Sequence, residues 1–443
     1  MTTGTVEPGK AQIGAPPGAN SPPRKSLASR MVHALGPGLI TGASDDDPSG
    51  IATYSQVGAA FGYGMTWVML FSYPLMAAIQ EISARIGRVT GRGIAGNMRA
   101  YYPPWALRAV VGLLLVANII NLGADLGGMA DALKLLIGGS AKVYVVLFAV
   151  GCAWLQIFSR YERYVAILKW ATVSLLAYVA AVLAVDVPWG EVLTRTFVPS
   201  FSFDKDYVLG IVAVLGTTIS PYLIFWQSSE EAEDERIDPD AHPLIDAEDE
   251  APREIARIEI DTYAGMAYSN LISLCIIVTT AATLNAHGIT DIKTSADAAS
   301  ALRPIAGPFA FAVFAAGIIG TGFLAVPVLA GSAAYAVGEA LGWPTGLARL
   351  PNEAKAFYGT IAIATLLGIA INFVHIDPIK ALYWSAVING VIAVPLMAVM
   401  MLMAAREDVM GKFTLPRALV ALGWLATAAM AATVAAMFVS WAI

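Results

Sequence analysis

GPGLITGASDDDPSGIATYSQVGAAF, residues 36–61, is an apolar, helix-permitting run broken in its middle by Asp45-Asp46-Asp47-Pro48-Ser49-Gly50. Proline removes an amide donor and clashes with the preceding turn, and glycine accepts almost any backbone angle. Three acids in the middle of a membrane span are expensive, about 2.5–3.5 kcal/mol per central charge on insertion scales. Such a triplet is tolerable around a water-filled cavity or a bound cation. At a helix end it would be ordinary, but here apolar sequence resumes at once.

A second break, Gly216-Thr217-Thr218-Ile219-Ser220-Pro221, interrupts another apolar run. Its hydroxyls can also serve simply to satisfy freed backbone groups. Helices interrupted at corresponding positions in two halves are the best sequence pointer to the central site of a transporter, where unwound carbonyls coordinate cations.

The rest of the chain agrees with a membrane reading. Of 443 residues, 57% are hydrophobic and 14% charged, with mean hydropathy +0.65, against about 25% charged in soluble domains. A soluble enzyme, a nucleic-acid binder and a disordered scaffold are excluded. Eleven apolar runs are read at 32–61, 64–86, 106–134, 141–158, 162–185, 206–228, 253–286, 304–338, 356–374, 378–404 and 416–442. The fold class expected is an all-α polytopic membrane protein with two inverted five-helix repeats and one extra helix. Residues 1–30 read as a disordered cytoplasmic tail without a signal peptide, 31–186 as the first repeat, 187–405 as the second, and 406–443 as the added helix.

Twenty of the 27 Lys and Arg fall on the side that holds the N-terminus, against Lys142, Arg195, Lys205, Lys293, Arg303 and Lys380 opposite. That bias places the N-terminus in the cytoplasm. The acidic stretch 229–250 runs against it, and reads as a solvated connector or an electrostatic funnel for cations. Cys152 and Cys275 sit in apolar runs as buried fillers, and none of the four histidines has metal-ligand spacing.

Three stretches together resemble the Nramp family of divalent metal transporters. Gly36-Pro37-Gly38 with Asp47-Pro48-Ser49-Gly50 is similar to the family's helix-1 signature. Ala84 to Arg92 is similar to its cytoplasmic loop after helix 2, and Gly216 to Pro221 to its helix-6 stretch. The resemblance implies a LeuT-like fold and a metal held by an aspartate and an asparagine of helix 1 and a methionine of helix 6. Here Asp47 is retained, Gly50 stands at the asparagine position and Ser220 at the methionine position.

The ligand set so implied is Asp47 and Ser220, with backbone carbonyls near Ser44 and Thr217 and the small Gly50 leaving a wider cavity. All-oxygen ligands suit Mg²⁺ and Mn²⁺, whereas a thioether helps select softer metals. Of the family's proton relay, Asp125 matches the first acid, but Gly128 and Tyr222 replace a glutamate and a histidine, and helix 9 has no arginine. Weak or absent proton coupling follows. Asp45 and Asp46 are extra acids for a vestibule or coupling role, and Asn389 is a polar residue facing the metal or bonding across helices. Arg85, Arg88 and Arg92 are explained by the positive-inside topology alone, or else anchor anionic lipid or close a cytoplasmic gate.

The function expected is alternating-access import of Mg²⁺ or Mn²⁺ by a monomer in the inner (plasma) membrane, with no enzymatic activity and no cofactor beyond the metal carried. Three alternatives remain open at this point: a conventional proton-coupled Mn²⁺/Fe²⁺ importer, a membrane prenyltransferase holding Mg²⁺ on acidic motifs, and a Na⁺-coupled amino-acid carrier on the same fold, against which the aspartate triplet speaks by repelling a carboxylate.

Overall fold

The structure is a computed structural model that describes residues 37–158, 175–374 and 377–442. The proposed tail 1–30, the first half of the fifth apolar run, His33 and His375 lie outside those residues. All regular structure among the described residues is helical.

The first span is two helices, α1 (Pro37–Asp45) and α2 (Pro48–Phe61). At 1.5 Å per residue neither half alone crosses a hydrocarbon core of about 30 Å, but end to end they do. The second span is α3 (Thr66–Thr90), followed by the short α4 (Ile94–Tyr101). The third and fourth are α5 (Pro104–Ile137) and α6 (Ala141–Phe158). The described end of the fifth is α7 (Leu176–Ala184), and α8 (Trp189–Phe197) follows it. The sixth is again broken, into α9 (Lys205–Thr218) and α10 (Pro221–Ile237). Then come α11 (Ala251–Thr283), the short α12 (Ser295–Ser300) and α13 (Arg303–Ala306), and α14 (Ala310–Leu341). The chain closes with α15 (Lys355–Ile371), α16 (Pro378–Ala404), the single turn α17 (Glu407–Met410) and α18 (Arg417–Ala442).

Among the described residues seven helices are long and apolar enough to cross a membrane, α9 and α10 counting as one, and α15 is a shorter apolar helix. The other expected spans miss that count for physical reasons: the first is split into short halves, and α3 carries Glu81, Arg85 and Arg88.

Two stretches read as loops are helical. Residues 84–90 continue α3, because Ile86 and Val89 are buried and Gly87 lies against the Ser228 carbonyl of α10. The helix stops at Gly91, whose φ of 62° is left-handed. Likewise Ser229–Ile237 belongs to α10, with Glu230, Glu231, Glu233 and Glu235 all buried, so only 238–250 is a connector. The acids are held there by partners: Arg257 on Glu231, Arg88 near Glu235, and Tyr335 with the Ala348 amide (2.7 Å) on Glu233.

The broken first span lies along α11. Gly38 N–H donates to Asp261 Oδ2 at 2.7 Å, and one turn on, the Gly42 and Gly265 backbones touch, so that a Cβ at Gly42 would collide with the Gly265 carbonyl. Small residues permit such approach in membrane bundles. Gly42→Ala is therefore expected to destabilise the protein by about 1–3 kcal/mol, the usual cost of overpacking. The check is its unfolding midpoint in detergent, and an unchanged midpoint would mean that α1 can move off α11 freely.

Candidate metal site

Both helix breaks fall in the interior of the bundle. There the Ser44 carbonyl at the end of α1 accepts from Tyr222 OH and the Gly50 amide at the start of α2 donates to Asp47, and such half-helix ends are what transporters use to bind ions. Pro48 and Pro221 start α2 and α10, where a missing N–H costs nothing.

Asp47 caps α2. Its Oδ1 accepts from Ser49 Oγ and from Gly50 N–H, each at 2.6 Å. Its Oδ2 accepts from Asn121 Nδ2 of α5 at 3.0 Å and from Tyr222 OH of α10 at 3.3 Å. Tyr222 OH makes its shorter bond, 2.9 Å, to the Ser44 carbonyl at the end of α1. One carboxylate is thus held by neutral donors from three spans, and none of these hydrogen-bond partners is cationic. Thr217 Oγ1 and Asn121 Oδ1 are buried with no hydrogen-bond partner, which leaves two neutral oxygens able to take a cation.

Gly50 stands beside Thr217. A Cβ there would lie 3.1 Å from Thr217 Oγ1, 3.2 Å from the Asp45 carbonyl and 3.3 Å from Tyr54 Cε2. The expected wider cavity is therefore not found at Gly50; Thr217 and the Tyr54 ring occupy that space. Ser220 spends its hydroxyl proton on the backbone, donating to the Thr217 carbonyl (2.7 Å) and Gly216 carbonyl (3.1 Å) freed by the break.

The remaining residues singled out in the sequence fall around this centre. Asp125 of α5 is fully buried within electrostatic reach of Asp47, and neither of its oxygens has a hydrogen-bond partner in good geometry. Asn389 is buried on α16, next to Gly390, where α16 crosses α9 at Gly216. Asp45 and Asp46 face away from Asp47, toward α11: Ser269 Oγ donates to Asp45 Oδ2 at 2.6 Å and Ser273 Oγ to Asp46 Oδ1 at 3.1 Å. No group of three or more His, Cys, Asp or Glu side chains among the described residues forms a metal cluster. The directions part at Asp47, which leaves the helical conformation (φ −67°, ψ 171°) as the N-cap of α2.

Asn121, Ser269, Ser273 and Tyr54 were not read as site residues. The signal was present in polar side chains three or four apart, Asn118 and Asn121 on α5 and Ser269 and Ser273 on α11, inside long apolar helices.

The two ends of the bundle differ. At one end a cavity of about 570 Å³ opens between α2, α9, α16 and the α11–α12 connection, lined by residues that include Gln56, Asp204, Asp206, Asp291, Lys380 and Tyr383. At the other, Thr41 of α1 donates to Gln227 of α10, and an ion-pair network closes over them. Arg257 pairs with Glu231 at 2.5 Å and Glu254 at 3.0 Å, Arg85 with Glu81 and Glu259 at 2.6 Å each, and Arg88 with Glu250 at 2.9 Å. Arg85 and Arg88 are buried in these ion pairs and so not free to anchor lipid, whereas Arg92 is exposed.

A helical bundle with two discontinuous spans meeting at a buried carboxylate, closed by ion pairs at one end and cupped at the other, defines a secondary transporter. The chain belongs to the Nramp family: residues 38–440 match the family described as "Natural resistance-associated macrophage protein-like". It is 28% identical over 407 residues to the divalent metal cation transporter MntH of Deinococcus radiodurans, covering 89% of this chain and 87% of that one. The MntH of Yersinia enterocolitica is 27% identical over 310 residues, 68% of this chain and 71% of its own.

Among solved structures, the Eremococcus coleocola manganese transporter in complex with an aromatic bis-isothiourea compound superposes with a TM-score of 0.69 at 16% identity, covering 95% of this chain and 88% of that chain. MhsT in complex with L-phenylalanine gives a TM-score of 0.59 at 14% identity, over 94% and 99% of the two chains. At these identities the likeness shows the fold, which is LeuT-like. The relatives are transporters and not enzymes, so the prenyltransferase alternative falls.

Proposed function

We propose that this protein carries a hard divalent cation, Mg²⁺ or Mn²⁺, across the membrane by alternating access, with Asp47 as the charged ligand. The observation that carries this reading is the Asp47 carboxylate at the helix break, contacted only by hydroxyl, amide and backbone groups, with the unpartnered oxygens of Thr217 and Asn121 beside it. Such a set offers oxygen and no thioether, which favours hard ions. The Ser44 and Thr217 carbonyls, the Ser220 hydroxyl and water complete the shell. Relatives named divalent metal cation transporters support the substrate class.

Transport is weakly or not coupled to protons. Where the resemblance places a second carboxylate, Gly128 leaves a space that Leu382 of α16 fills: a Cβ there would lie 2.8 Å from Leu382 Cδ1. On the neighbouring α15, Gly368 packs against Leu122, and the helix carries no arginine. Aliphatic packing on that side of α5 offers Asp125 no next group to pass a proton to. The arginine-rich end faces the cytoplasm, by the distribution of Lys and Arg, so that the cavity at the opposite end receives the ion from outside. One helix bundle rocks against the other around the fixed site at Asp47, in a monomer of the inner membrane, with the two repeats at 31–186 and 187–405.

The test is flux into liposomes of purified protein, with Mg²⁺ and Mn²⁺ indicators and internal pH followed in parallel. Entry of both ions without acidification is expected. Mn²⁺ entry with acidification and none for Mg²⁺ would instead make this a conventional proton-coupled importer. In the same assay Ser220→Met is expected to raise Cd²⁺ over Mg²⁺ preference on the order of tenfold, by adding a soft donor; an unchanged preference removes Ser220 from the ligand set.

A further inference from the structure

We propose that Asp45 and Asp46, with Ser269, Ser273 and Tyr54, form a second site for a hard divalent cation, on the α11 flank of the helix break. The inference rests on the reading that Asp47 holds the transported ion on the opposite flank.

Each acid takes one hydroxyl from α11, and the other oxygen of each, Asp45 Oδ1 and Asp46 Oδ2, is buried with no hydrogen-bond partner. Tyr54 of α2 adds a third orphan. Its ring lies against the same turn, and its buried hydroxyl is in electrostatic contact with both acids and reaches Ser273, without a hydrogen bond in good geometry. Buried polar atoms are paired in the great majority of cases, and three orphans around one pair of carboxylates describe a place that a ligand completes.

The chemistry of that ligand follows from charge and donor type. Asp45, Asp46, Asp47 and Asp125 put four carboxylates in the interior of the bundle, and the hydrogen bonds and ion pairs of the described residues bring no Lys, Arg or His to any of them. Asp45 and Asp46 present two carboxylates and three hydroxyls, all hard oxygen, without sulfur or imidazole. That set matches Mg²⁺ or Mn²⁺ in charge and donor type. Consecutive Cα atoms stand about 3.8 Å apart, so the two ions would sit within about 10 Å of each other with the helix break between them. A cation there would tie the α1–α2 junction to α11.

The experiment is Mn²⁺ binding by the purified full-length protein in detergent, read by equilibrium dialysis and by low-temperature electron paramagnetic resonance. Wild-type protein is expected to hold two Mn²⁺ per chain with dipolar broadening from a close pair. Asp45→Asn/Asp46→Asn is expected to hold one, and Asp47→Asn one. Both single-ion variants should lose the broadening.

One Mn²⁺ per chain in wild type without broadening overturns the proposal, and so does a double variant that still binds two. If that lone ion is lost in Asp47→Asn, the reading of Asp47 as the transport ligand stands by itself. If Asp47→Asn keeps every ion while the double variant loses them, the transport reading falls instead. The wild-type spectrum decides the question even where the double variant does not fold, and Ser273→Ala, a milder change, should weaken only the second ion.

Discussion

Asp47→Asn is expected to reduce Mg²⁺ and Mn²⁺ uptake in liposomes at least about a hundredfold, the upper end of what even an outer-shell change costs a metal site. Its effect on stability should be moderate, about 1–3 kcal/mol. Asp47 does two jobs at once: Oδ1 caps α2 through Ser49 and Gly50, and Oδ2 faces Asn121 and Tyr222. Asparagine and aspartate are about equal as helix caps, so the cap survives with a loss below about 0.5 kcal/mol. The substitution keeps the cap through Oδ1, but an amide nitrogen in place of Oδ2 cannot accept from Asn121 Nδ2 and Tyr222 OH, so those two hydrogen bonds go with the charge. Asp47→Ala is a poorer probe, because it also loses the cap, worth about 1 kcal/mol. Thermal midpoints measured beside flux separate the two effects. Near-normal uptake by well-folded Asp47→Asn would remove Asp47 from the transport path.

Which parts of this were readable in the sequence follows from where the physics is local. Both breaks were legible because proline, glycine and hydroxyl residues in an apolar run act on their own backbone, and α2 and α10 do begin at Pro48 and Pro221. The membrane class and its LeuT-like architecture followed from apolar length and from those breaks. The directions of the three aspartates were not legible. Asp47 turns to α5 and α10 while Asp45 and Asp46 turn to α11, and that depends on helices far away in sequence. The same reason hid the helical character of 229–237. An acidic run reads as solvated until Arg257, Tyr335 and the Ala348 amide are seen to bury it. The wider cavity expected from Gly50 failed similarly, since deleting a side chain makes room only if no neighbour moves in, and Thr217 and Tyr54 stand there. Asn121 stayed hidden for a different reason. One asparagine in a long apolar helix marks a polar partner without saying which.

The ion-pair end of the bundle carries the second large effect. Glu231 has no exposed side-chain surface, and Arg257 is its cationic partner at 2.5 Å. Removing one member of a buried pair costs about 3–5 kcal/mol, because the other charge is left uncompensated. In Arg257→Ala the protein can relieve that cost by letting water reach Glu231, which means parting α10 and α1 from α11 at this end. Thr41, bonded to Gln227 on α10, sits on α1 one residue before Gly42, where α1 touches α11, and so borders that seam. With Cys152 and Cys275, both buried free thiols, replaced by alanine, a Thr41→Cys reporter should react with a membrane-impermeant thiol reagent on the order of a hundredfold faster once Arg257→Ala is added, as expected when a few kcal/mol bias two states. Adding Glu231→Gln as well should return labelling toward its starting rate, because the stranded charge is gone while the packing change remains. Faster labelling that persists in the triple variant would assign the effect to lost packing, and unchanged labelling in Arg257→Ala would mean that this ion pair does not hold the gate.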